Sequence, residues 1–226
     1  MLMNLPEKYI NDLTVRLSHH STALEGNTLT LDETKDLLMF NTTPARSVDV
    51  REIYEIKSNA RALKEVLKSM ATNEPFSEMI ILRMHYFIGE STVTFPGEYK
   101  KVNNYIQGSD FETTPASKVA YAMQQWLDEV KNSLEFSTEQ AFFEGVAKSH
   151  IEFEKIHPFS DGNGRTGRMI MLYLCFKKGY LPPVIPVGDK KKYLDFLRKE
   201  DAVGLGAWLK ELSDKEQLRF EGFRGF

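Results

Sequence analysis

Cysteine is almost missing. Cys175 is the only one in 226 residues, which excludes an internal disulfide framework and most metal sites built from thiolates. It falls inside the apolar run 169–176 and is expected to be a buried core thiol. An excess of charge of one sign is missing too. The 29 basic and 32 acidic side chains leave a formal net charge of −3, so no global basic field argues for nucleic acid as a partner. No apolar run approaches the length that spans a bilayer, and residues 1–8 lack the basic-then-apolar order of a secretory signal. Internal repeats and low-complexity linkers are absent from the sequence. What remains is an ordinary globular composition, 42% hydrophobic, in a length that suits one large domain. The expectation is a cytoplasmic enzyme with no membrane and no nucleic-acid partner.

One stretch stands out. Residues 157–168 read His-Pro-Phe-Ser-Asp-Gly-Asn-Gly-Arg-Thr-Gly-Arg. Ahead of it Val146, His150, Phe153 and Ile156 recur at helical spacing, and an apolar segment follows, so the stretch is a loop that opens a helix. Gly162 and Gly164 let the backbone turn sharply and leave its N–H groups uncovered. Such groups at a helix start, with the helix dipole behind them, form an anion site. Arg165 and Arg168 project from one side of the first turns. Two guanidinium groups beside an anion site suit a polyphosphate rather than a lone phosphate. Asp161 supplies a hard oxygen that suits a magnesium ion bridging phosphates. His157 is the one nearby side chain able to take a proton near neutral pH. The plainer alternative is a loop with a structural histidine and two surface arginines. A base, a metal ligand, glycines and paired arginines in one short loop weigh against it.

These residues match the Fic signature, His-x-Phe-x-(Asp/Glu)-Gly-Asn-Gly-Arg-x-x-Arg, at every defined position, and the chain resembles the Fic family. The resemblance implies a nucleotidyltransferase that moves AMP from ATP to a protein hydroxyl. It implies an all-α Fic fold of about eight helices with one β-hairpin flap before the catalytic helix pair. Carried over residue by residue, it makes His157 the general base, Phe159 the anchor of the loop and Asp161 the ligand of Mg2+. Gly162, Asn163 and Gly164 cradle the phosphates, with Thr166 and Gly167 in the same cradle, and Arg165 and Arg168 bind the outer phosphates. Adenine and protein target come from the resemblance alone; base, metal and polyphosphate come from the residues.

Residues 6–25 read as a helix, with Ile10, Leu13, Leu17 and Leu24 at helical intervals and Gly26-Asn27 to stop it. Taken alone, Ser21 and Glu25 on one face near its end are unremarkable. Ser21-Thr-Ala-Leu-Glu25-Gly26 also fits the inhibitory motif (Ser/Thr)-x-x-x-Glu-(Gly/Asn) that many Fic proteins carry, and its position resembles the class whose inhibitory helix precedes the core. The division expected is an inhibitory region 1–45, a catalytic core 46–214 and a partly frayed tail 215–226, within a single Fic-type domain 1–226.

Thr30 to Glu33 form a capping box for a helix through about Phe40. A long helix is expected over 49–71, another from Ser77 to about Ile88, with His85 a packed core histidine. Periodicity stops between Ser91 and Thr114, and residues 95–108 read as a hairpin. Their place resembles the Fic flap, which pairs main chain to main chain with an unidentified target. Gly97, Tyr99, Lys100, Val102 and Tyr105 are its docking residues, and Ile106, Gln107 and Gly108 border the nucleotide. Many relatives have Arg where Lys100 stands. Pro115 opens a further helix, and the box Ser137 to Gln140 opens the one that delivers His157. Gly179 ends the helix after the signature, and Asp189 caps the next. Relatives place an aromatic like Tyr193 near the adenine, and an asparagine several residues later. Glu200-Asp201 fall where that asparagine belongs, which leaves nucleotide preference open.

Three functions compete. The first is an ATP-dependent protein adenylyltransferase acting on Ser, Thr or Tyr and held off by Glu25. The second uses the same site to remove AMP, or to transfer another phosphate compound. The third is a non-catalytic nucleotide-sensing module. The first leaves room for self-AMPylation at Tyr99 or Tyr105 and for a homo-oligomer. Target and modified residue are not written in the sequence.

Overall fold

A computed structural model describes residues 5–105, 112–133, 135 and 138–224. Nine α-helices run through them: α1 Glu7–Ala23, α2 Leu31–Phe40, α3 Val50–Ala71, α4 Glu78–Gly89, α5 Val119–Ser133, α6 Glu139–Ile156, α7 Asn163–Lys178, α8 Lys190–Lys199 and α9 Ala202–Arg224. Helix α7 is the centre. From Arg165 to Phe176 every side chain is buried, the mark of a helix enclosed on all sides. Helix α6 lies against α5, α7 and α9, while α3 and α4 cover α7 from another side and α1 bridges α3 and α7. The loop between α6 and α7 is thus held at the middle of the molecule.

Local chemistry sets most boundaries. Thr30 accepts from Glu33 N–H while the Glu33 carboxylate takes the Thr30 N–H, the expected capping box. Asp49 and Glu52 do the same for α3. Gly179 closes α7 in the left-handed region at φ 93°. At α6 the cap is Thr138, whose Oγ1 accepts from Ala141 N–H at 3.3 Å; Ser137 lies outside the described residues. Ser77 and Asp189 stand at their helix starts without a side-chain cap bond.

Two expectations need correcting. Over its described residues, 215–224, the tail is not frayed: α9 continues to Arg224. Its last turns are tied to α1, where Arg16 forks onto Glu216 at 2.8 and 2.6 Å and the Tyr9 hydroxyl donates to the same carboxylate at 2.8 Å. Phe220 packs edge-on against Tyr9 at 5.0 Å. Those contacts join residues about two hundred positions apart, beyond the reach of local pattern. The second correction concerns the flap. Among the described residues no strand forms, and 95–105 run as turns and bends. They are held by side chains and single backbone bonds to neighbouring segments instead of a ladder. Residues 106–111, with Ile106, Gln107 and Gly108, lie outside the described residues.

Candidate active site

Helix α6 ends on His157, whose backbone is left-handed at φ 49° and whose N–H still donates to Phe153 C=O at 2.9 Å. That turn throws the imidazole out of the helix line. Nδ1 lies 3.3 Å from the Glu154 carbonyl, which assigns the proton to Nδ1 and leaves the Nε2 lone pair as acceptor. Burial, with a smaller push from Lys100, lowers its pKa to about 4. The ring is therefore neutral, and able to take a proton, across the physiological range.

The loop then folds on itself. Phe159 is fully buried, and Asn163 spans its peptide, accepting from Phe159 N–H at 2.8 Å and donating to its C=O at 2.9 Å. The Asn163 side chain is thus a brace of the loop. Gly162, at φ 76°, is the N-cap of α7, and its carbonyl accepts from both the N–H and the hydroxyl of Thr166 at 3.0 and 2.8 Å. Thr166 is consequently buried with its hydroxyl bonded inside its own helix. Gly167 faces inward as well: a Cβ there would press on His150 and Glu154 at 2.8 Å. Tyr193 is buried beneath, its hydroxyl 2.6 Å from His150 Nε2 and its ring 6.0 Å from the Arg168 guanidinium.

The charged residues face the other way. Arg165 is nearly enclosed, yet its Nε and Nη1 have no hydrogen-bond partner; Glu55 and Asp161 approach it only to 3.8 Å. Buried guanidinium N–H groups without acceptors are costly, and together with the helix start they fit an incoming anion. Arg168 is engaged through Nε and Nη2. It donates from Nε to Ser21 Oγ at 3.0 Å and from Nη2 to Ser21 C=O at 2.8 Å and Glu25 Oε1 at 2.7 Å. A Cβ on Gly164 would collide with the Glu25 carboxylate, so that carboxylate lies directly over the first turn of α7. Desolvation opposes its charged form, but Arg168 wins and holds the Glu25 pKa below the usual range. Gly26, at φ 109°, turns the chain away behind it. The pair is not the fully exposed one that a helix end suggests, since the Arg168 side chain is only 6% exposed.

Asp161 is half exposed and bonds Arg51 Nη2 at 2.6 Å. Among the described residues no three His, Cys, Asp or Glu side chains gather around a point. One carboxylate beside an anion cradle still fits magnesium, which keeps several waters and shares phosphate oxygens. Glu55 links these parts: it takes Arg51 Nε at 3.2 Å and Asn27 Nδ2 at 3.0 Å.

The flap segment meets the signature along its base. Lys100 donates its N–H to Pro158 C=O at 2.8 Å, and its side chain is buried against Asn104 Oδ1 and Thr113 Oγ1 at 2.6 and 3.1 Å. Burial pushes its ammonium down to about 8. The Tyr99 hydroxyl donates to Glu78 at 2.9 Å. Gly97, at φ 78°, gives its N–H to His85, while Val102 and Tyr105 are exposed. Glu200 pairs with Lys155 at 2.9 Å, and Asp201 takes Gly204 N–H at 2.8 Å as a cap of α9, so both have structural partners. Sequence reasoning missed Arg51, Glu55 and Asn104 altogether. It placed His85 in the core without its partners; a histidine in an apolar helix face was the available signal.

The chain is similar to known proteins in sequence and in fold. Residues 75–175 match the Fic/DOC family. Curated relatives include the protein adenylyltransferase Fic of Drosophila willistoni, 29% identical over 198 residues, and that of Drosophila melanogaster, 29% over 201. Each match takes in 87% of this chain but 39% of the relative, so the chain spans about two fifths of their length. A Fic domain containing signaling protein from Bacteroides thetaiotaomicron superposes with a TM-score of 0.83 at 24% identity, covering 97% of this chain and 90% of that one. A fragment of Fic-1 from C. elegans gives 0.77 at 23%, covering 96% and 64%. The BepC protein of Bartonella tribocorum, solved with bound AMPPNP, gives 0.52 at 19%, covering 69% and 86%. These likenesses show the fold.

Proposed function

We propose that this chain, a Fic-domain protein, transfers AMP from ATP to a hydroxyl of a target protein and is held off by its own Glu25. The observation that carries the reading is where the Glu25 carboxylate lies: on Arg168 and over Gly164, at the helix start where an outer phosphate has to sit. In this account residues 46–214 are the catalytic core and 1–45 its regulator. The phosphates of ATP rest on the N–H groups that open α7, with Arg165 supplying unpaired donors and Arg168 joining once Glu25 leaves. Magnesium at Asp161 would offset phosphate charge. A target main chain lies along the exposed side of the flap, near Val102 and Tyr105. The target oxygen attacks the α-phosphorus, the bond to pyrophosphate breaks, and the hydroxyl proton passes to His157 Nε2. The adenylyltransferase names of the relatives and the AMPPNP in BepC support the choice of nucleotide.

The test is incubation of Glu25→Gly protein with labelled ATP and a cell lysate, with UTP and a pre-modified target as parallel arms. Label transferred from ATP alone supports the reading. Label from UTP changes the nucleotide, loss of AMP from the modified target reverses the reaction, and ATP binding without transfer in any arm leaves a nucleotide-sensing module. Intact mass of the same variant reads self-modification, for which exposed Tyr105 is better placed than the hydrogen-bonded Tyr99.

A further inference from the structure

His85 has no part in the chemistry just described, yet its bonds converge on the site. It sits on α4, fully buried. Gly97 N–H donates to its Nδ1 at 2.9 Å. That nitrogen must then be the acceptor, so the proton is on Nε2, which donates to the Asp161 carbonyl at 3.0 Å. The ring lies flat on Phe159, centroids 3.6 Å apart and planes 7° from parallel. One rigid side chain thereby holds the start of the flap, the backbone of the proposed metal ligand and the anchor of the signature loop. The backbone at Gly97 has little room to drift, because even a Cβ there would meet Leu82 C=O and Tyr86 at 3.2 Å. A displaced Asp161 carbonyl tilts the imidazole, and the tilt reaches Gly97 through its other nitrogen.

We propose that His85 is a positioning residue that links the target-docking flap to the nucleotide site by holding Gly97 and Asp161 at fixed separation. This rests on the reading above for what the flap and Asp161 do, but not for the tie itself. By reciprocity, a group that makes Asp161 placement favour one flap position makes flap occupation favour the same Asp161 placement. The coupling runs through a neutral ring with a proton on one nitrogen only, so asparagine and glutamine each reproduce half of it. Asparagine puts an acceptor near the Nδ1 position and keeps the Gly97 bond. Glutamine puts an amide donor near the Nε2 position and keeps the Asp161 bond.

The test uses His85→Asn and His85→Gln in the Glu25→Gly protein, with thermal melting to confirm folding. Amide hydrogen exchange at Gly97 is read first without nucleotide, then ATP affinity with and without magnesium chloride. Asparagine should leave Gly97 exchange near the parent's but weaken the magnesium dependence of ATP binding about five- to tenfold, and glutamine should do the reverse by a similar factor. The crossed pattern is the prediction, since a purely structural role would move both readouts together in both variants. Parallel losses, or parent-like values throughout, overturn the proposal. Failure of the parent to bind ATP sinks the site reading and the coupling to it, while Gly97 exchange still decides the tie. If neither variant folds, His85→Phe, which keeps the stack on Phe159 and loses both bonds, must speed Gly97 exchange by the same factor or the tie is refuted.

Discussion

The inner and outer faces of the signature loop are held by different forces. Inward, Phe159, Asn163, Thr166 and His85 are joined by short neutral hydrogen bonds and ring stacking, all buried. Outward, Arg168, Asp161 and Arg165 meet Glu25, Arg51 and Glu55, charged groups brought by the N-terminal α1–α3 region. Neutral buried bonds have no ready substitute, so they fix the shape of the loop. An ion pair at the edge of solvent can be exchanged for a better anion or cation. The comparison teaches that the loop is prebuilt and that only its charged rim is free to change partners.

The largest effect should come from the base. His157→Ala, made in the Glu25→Gly protein, should cut AMP transfer by about two to four powers of ten, with ATP binding kept. Transfer within tenfold of the parent sinks the base assignment. Glu25→Gly by itself should raise transfer about a hundredfold, the scale of a misplaced reactant. It should also cost about 1–2 kcal/mol in chemical denaturation, because it strips a partner from a buried guanidinium. An unchanged rate on a competent target reduces residues 21–26 to a helix end.

The inner face should answer in stability rather than rate. Asn163→Ala leaves the Phe159 peptide without its brace and should cost about 1–3 kcal/mol, read by thermal or denaturant melting. A melt matching the parent refutes the brace. The pH profile probes His157, which belongs to neither face. The folded pKa of His157 is lowered from 6.5 to about 4, so folding favours its neutral form. The stability this contributes is whole above 6.5 and fades as pH falls toward about 4. Transfer by the Glu25→Gly protein should therefore persist at about pH 5.5, where an ordinary imidazole is mostly protonated; a midpoint near 6.5 contradicts the buried, neutral ring. The smallest effect belongs to Arg51→Ala. Its half-exposed pair with Asp161 is worth about 0.2–1 kcal/mol, so freeing the carboxylate should tighten magnesium-dependent ATP binding by no more than about fivefold in titration calorimetry. Weaker binding would make Arg51 a phosphate ligand instead.

Much of the fold was legible in the sequence because its signals are short-range. Thr30 with Glu33, Gly179 after α7 and the signature itself act within a few residues. The tail was misread for the opposite reason, since its order comes from Arg16 and Tyr9 on α1. Over its described residues, 95–105, the flap was misread because β-favouring residues between glycines look like strands, whereas Lys100, Asn104 and His85 anchor it one bond at a time.

Glycine placement, capping chemistry and helical period are local properties, and from them the sequence alone determined a loop that opens a buried helix with a histidine before it and two arginines after. Only the tertiary structure decided what those groups face. Arg168 finds Glu25 across 143 positions, and Asp161 finds Arg51 across 110. Such meetings depend on the rotation and depth at which α1 and α3 pack against α7, which no spacing along the chain encodes. The same packing turned Thr166, Gly167 and Tyr193 inward, and it brought His85 between the flap and Asp161.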